Sequence, residues 1–147
     1  MTGMSSIVKT VTRWVSPFIF AFGIYIALTG HLTPGGGFPG GVIIAGCFIL
    51  LTLAFGKEAT FRLFNLKSSS VTDSLAALSF LCMGLLGYVF GSGFMNNFIE
   101  SGFPGTPFRL LSGGNMPILN LAIGLKVGAS LFAVFAYLAL FRAIEED

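Results

Sequence analysis

The stretch Gly30-His31-Leu32-Thr33-Pro34-Gly35-Gly36-Gly37-Phe38-Pro39-Gly40-Gly41 places six glycines and two prolines in twelve residues, between apolar runs at 19–28 and 42–55. Each glycine in a helix interior costs about 1 kcal/mol relative to alanine, and each proline removes a backbone donor. The expectation is therefore a bend, serving as a tight helix connection or as a backbone site held at the bilayer edge. It is no phosphate loop, because the GxxxxGK[ST] and GxGxxG orders are absent and no strand precedes it. Its last glycines begin a row of small residues, Gly37, Gly41 and Ala45, against which another backbone can lie. Gly124 and Gly128, and Gly87 and Gly91, form similar pairs.

The flanking runs decide the class. Of 147 residues, 54% are hydrophobic and only 10% charged, against about 25% charged in soluble domains. At about 20 apolar residues per span, the length allows four helices and no separate soluble domain. The expected fold is an all-α integral membrane protein, one domain over 1–147, with helices at about 15–29, 40–55, 74–94 and 117–141. Asp73 is read as the N-cap of the third helix, and Gly56 with Lys57 as the end of the second. The N-terminal segment is read as an uncleaved first helix. Lys9, Arg13, Lys57, Arg62, Lys67 and Arg142 fall on one side of such a bundle and Arg109 alone on the other, which places both termini in the cytoplasm. The 95–116 connection is too apolar for a free loop: Phe94, Phe98, Phe103, Phe108, Leu110 and Leu111 need a surface to cover. A short interfacial helix or a loop packed on a partner would meet that need.

The eighth cation, Lys126, lies about 14 Å below the outer end of the fourth helix. A charge at that depth is costly unless it meets protein, water or a partner charge. It faces away from Gly124 and Gly128, so one side of this helix packs closely while the other presents a lysine. Glu58, Asp73, Glu100, Glu145, Glu146 and Asp147 all read as lying at helix ends or in connections. On that reading Lys126 has no acidic partner in its own chain and belongs to an ion path or a subunit interface; the plainer alternative is snorkelling. His31, the only histidine, is a second candidate for the ion path or interface, since histidine changes charge near neutral pH. Its structural alternative is a cap on helix-one carbonyls or a bond to the loop backbone. Cys47 and Cys82 stand apart in apolar segments, without metal spacing, and are read as buried packing residues. No metal or cofactor is implied, no nucleophile or cofactor loop suggests an enzyme, and the small net charge of +2 does not suggest nucleic acid.

Two segments carry a resemblance. GHLTPGGGFPGGVIIAG, with Gly30, Pro34, Gly35, Gly36, Gly37, Phe38, Gly40 and Gly41, resembles the signature of the MnhB (MrpB) family of multisubunit cation/proton antiporters and related membrane-bound hydrogenase complexes. LNLAIGLKVGASL at 119–131, with Gly124 and Gly128, is similar to that family's second marked segment. The resemblance implies an accessory subunit in the cell membrane, contributing to assembly and to the ion path, with other membrane subunits as partners and Na+ and H+ as the ions of the complex. The alternatives are the antiporter-module subunit of a hydrogenase-type complex and a stand-alone homo-oligomeric transporter. The last is disfavoured by the missing intramembrane carboxylate, because hard cations need oxygen ligands.

Overall fold

A computed structural model describes residues 4–56, 60–61, 64–91, 93–102, 105–106, 109 and 112–145. Lys57, Glu58, Arg62, Phe103, Phe108, Leu110, Leu111, Glu146 and Asp147 lie outside the described residues. The chain forms α1 (Ser6–Leu28), α2 (Gly37–Phe55), α3 (Leu66–Phe90), the short α4 (Phe98–Gly102) and α5 (Met116–Glu145). Among the described residues, α1, α2, α3 and the Met116–Ala139 part of α5 are long and apolar enough to cross a membrane. The protein is a four-span all-α membrane protein. The backbone bond from Met4 N to Ala54 O joins the chain start to the end of α2, as alternating up-and-down helices require.

Helix order in space differs from order in sequence. α1 packs on α2, α2 on α5 and α5 on α3, while α3 makes no comparable contact with α1 or α2. A cavity of about 350 Å³ lies between α3 and the α1–α2 pair, lined by Phe20, Ile44, Phe48, Thr72, Leu125 and Gly128 among others. At its wall Phe48 and Phe64 cluster with Phe132, ring centroids 5.3–5.7 Å apart. Phe132 is fully buried.

Three boundaries correct the sequence reading. The glycine stretch is only half a bend: α2 already begins at Gly37, so Gly37, Gly40 and Gly41 are helical. Gly35 and Gly36 form the bend, with φ of +150° and +106°. The helical glycines persist because tertiary contact outweighs propensity. A Cβ at Gly41 would stand 2.5 Å from Gly124 O and one at Gly40 would stand 2.8 Å from Ala27 N, so α2 lies backbone to backbone against α5 on one side and α1 on the other. With these residues helical, α2 reaches 19 residues, nearly a full span.

The second correction is at α3. Its N-cap is Asn65, whose side chain accepts from Ser68 N at 2.7 Å, and Asp73 sits seven residues inside the helix. The polar run from Ser68 to Asp73 reads as loop in sequence, yet it is helical because its polar groups find partners on α5. Ser69, fully buried, donates to Ala129 O at 2.7 Å.

The third concerns the other small residues of α3. Gly84 and Gly87 face the returning connection rather than another helix: a Cβ at Gly84 would meet the Phe94 ring, and one at Gly87 would meet Gly93 O and Asn96 N. The connection is pinned by Asn115, 3% exposed, whose backbone N–H donates to Asn97 Oδ1 and whose side chain donates to Asn96 O. It contains the short α4, with the Phe98 ring tilted on Phe90 at 5.5 Å. Of the two cysteines, Cys47 is buried and its thiol donates to Ser16 O at 3.2 Å. Cys82 is exposed, contrary to expectation, because α3 packs through one face only.

Candidate functional site

α5 is two-sided. Gly124 and Gly128 point at α2, where glycine meets glycine: a Cβ at Gly124 would stand 3.2 Å from Gly37 O, and one at Gly128 would stand 3.3 Å from Gly41 O. Turned away from them, Lys126 and Ser130 point at α3. The two marked sequence segments are thus one packing unit, with Asn120 at its head. This residue lies against Gly30, Gly36 and Gly37, and sequence reasoning did not single it out. An asparagine in the otherwise apolar opening turns of α5 was the available signal.

On the far side, Lys126 Nζ donates to Asp73 Oδ1 at 2.9 Å, and Ser130 Oγ donates to the same oxygen at 2.6 Å. This overturns the expectation that Lys126 lacks an acidic partner in its own chain. The error came from the late start given to α3, which put Asp73 at a helix end. Asp73 lies about 10 Å into α3 and Lys126 about 15 Å into α5 from the opposite end, at 1.5 Å per residue. The two antiparallel helices therefore bring the charges to one level inside the bundle. Ser69, Asp73 and Ala76 share the face of α3 that meets α5; that four-then-three spacing was the missed signal.

The pair is not enclosed by the chain that makes it. The side chains of Lys126 and Asp73 are 48% and 33% exposed. A charged residue at mid-membrane costs at least about 2.5–3.5 kcal/mol when left to lipid. Internal pairing lowers that cost, and the exposed side still presents polar atoms to whatever surrounds the bundle. Among the described residues no group of three His, Cys, Asp or Glu side chains could hold a metal ion.

His31 belongs elsewhere. Its ring lies against Gly113, with Nε2 in a long 3.5 Å contact with Arg109 O, at the loop end of the bundle and well above Lys126. It tethers the glycine bend to the 91–115 connection rather than capping α1. Its Nδ1 is buried without a hydrogen-bond partner among the described residues.

Comparison with known proteins matches residues 7–133 to the MnhB family model, described as a domain related to the MnhB subunit of a Na+/H+ antiporter. An uncharacterised protein of Methanocaldococcus jannaschii is 40% identical over 129 residues, covering 85% of this chain and 48% of the relative. A Staphylococcus aureus protein bearing the name antiporter subunit mnhB2 is 46% identical over 52 residues, 35% of this chain and 37% of its own. A chain of the membrane-bound sulfane sulfur reductase, an archaeal respiratory membrane complex, superposes with a TM-score of 0.76 at 38% identity, covering 92% of this chain and 58% of that one. The chain spans about half the length, or less, of the curated relatives it matches. Since the family's domain runs from the start of α1 into the second half of α5, and both marked segments lie within it, this membrane protein belongs to the MnhB family.

Proposed function

We propose that this chain is an accessory membrane subunit of a multisubunit Na+/H+ antiporter, and that the Lys126–Asp73–Ser130 centre lies where it meets a neighbouring subunit and the ion path. The observation that carries this is a part-exposed ion pair within two apolar spanning helices, about 10 Å from the start of α3 and about 15 Å from the start of α5. Lipid is a poor cover for such a pair, whereas a polar face of another subunit, or water held between subunits, is a good one. His31, whose buried Nδ1 has no hydrogen-bond partner among the described residues, is assigned to the same role at the loop end. Both termini are assigned to the cytoplasm on the charge bias between connections, and the chain to one domain.

A second reading, the same module within a redox-driven membrane complex, is favoured by the likeness to a chain of the sulfane sulfur reductase. Co-purification of the tagged chain with redox subunits would select it; co-purification with antiporter subunits alone would select the first.

The test of the centre uses Lys126→Ala and Asp73→Asn in the complete complex, with native gels and cation-dependent proton exchange in inverted vesicles. Each variant is expected to lower exchange or release subunits, because each leaves an uncompensated charge at the contact. Wild-type assembly together with wild-type exchange in both variants would overturn the assignment.

A further inference from the structure

From the geometry we infer that Asp73, Ser130 and Lys126 form an exchange site for an alkali cation and a proton, in which the cation and the Lys126 ammonium compete for one carboxylate. The inference rests on the subunit reading above and gives its polar centre a chemistry. Asp73 Oδ1 accepts from both Lys126 and Ser130, while Oδ2 has no hydrogen bond among the described residues. The carboxylate and the Ser130 hydroxyl are two oxygen ligands of the kind a hard cation takes, and the ammonium occupies the position a cation would need.

Among the described residues, the parts of the surrounding elements that flank the pair add no carboxylate that could neutralise a second cation; Arg142 and Glu145 of α5 lie more than four turns beyond Lys126. α2 carries no acidic or basic side chain, and Cys47 is its only titratable group. α1 brings Lys9, Arg13 and Tyr25 but touches α5 only lightly. On α3, Lys67 lies six residues before Asp73, with Cys82 and Tyr88 farther along. Tyr137 is three turns beyond Lys126 on α5. Among the described residues beside the pair, one carboxylate is therefore available to one positive charge.

The step balances as a one-for-one exchange. A cation enters and binds the Asp73 carboxylate and the Ser130 oxygen, and the Lys126 ammonium loses its counter-ion. An ammonium without a counter-ion inside the bilayer is the costly form. Its N–H bond breaks, the proton passes to water, and a neutral amine remains. One positive charge has arrived and one has left. Reprotonation of the amine restores the ion pair and expels the cation.

Arginine separates this exchange from a purely electrostatic role, since it keeps the charge and does not release a proton. In the complete complex, Lys126→Arg is expected to assemble on native gels, yet to show cation-dependent proton exchange reduced by roughly tenfold or more, like Asp73→Asn. Adding NaCl, or KCl in a parallel arm, to the unbuffered solubilised complex should release about one proton fewer per complex from Lys126→Arg than from wild type. Ser130→Ala, which retains both charges, should raise the half-saturating cation concentration several-fold. Wild-type exchange and proton release in Lys126→Arg would overturn the exchange site, as would an unchanged half-saturation in Ser130→Ala. Neither result would touch the placement of the centre at a subunit contact, which fails if Lys126→Ala and Asp73→Asn are both silent.

Discussion

At the scale of single residues, two glycines five residues apart on α2 have opposite meanings. Gly41 abuts Gly124 and Val127, so an added methyl would stand 2.5–2.8 Å from their atoms, whereas Gly46 has nothing within 4 Å of the same position. Gly41→Ala is expected to lower stability by about 1–3 kcal/mol through overpacking. Gly46→Ala is expected to be neutral or to stabilise by up to about 1 kcal/mol through helix propensity. Thermal midpoints of the two variants in detergent check the contrast, and equal midpoints would show that the α2–α5 contact is loose. The sequence made Gly41 legible as part of a row of small residues, and Lys126 legible as a charge too deep for a helix of this kind. It did not disclose Asp73 as the partner, because the Ser68–Asp73 run has the composition of a loop. Its helical state depends on bonds to an element about 60 residues away.

At the scale of elements, sequence legibility followed apolar length. α2 and α5 are visible as long apolar runs with a glycine or proline near a boundary. The start of α3 is not, since two of its turns are polar. A helix that begins at Leu66 rather than Ser74 carries Lys67 into its first turn, still at the end opposite α4. Replacing Lys67 and Gly102 singly by cysteine, in a background lacking Cys47 and Cys82, is expected to give labelling from opposite sides of the membrane. Gly102 suits the purpose because nothing stands within 4 Å of its missing Cβ. Labelling of both positions from one side would refute the arrangement and the cytoplasmic placement of the termini together.

At the scale of the whole molecule, α1, α2 and α5 form one glycine-zipped layer, and among the described residues α3 joins it chiefly through α5. Neither this order nor the cavity beside it was legible, because pairwise helix packing depends on which small and polar faces meet, and composition does not rank the choices. The attachment of α3 has a consequence for how the protein is made. Asp73 precedes Lys126 by 53 residues, so α3 reaches the insertion machinery while its counter-charge is still unsynthesised. An unpaired aspartate about 10 Å into a spanning helix weighs against insertion, by less than the roughly 2.5–3.5 kcal/mol of a helix centre. A chain ending at Asn115 is therefore expected to leave α3 poorly integrated by protease protection, with rescue by Asp73→Leu or by the full-length chain. Efficient integration of the truncated segment would show that α3 enters unaided. On that expectation α3 is a helix in waiting during synthesis, committed to the bilayer only when the last helix emerges.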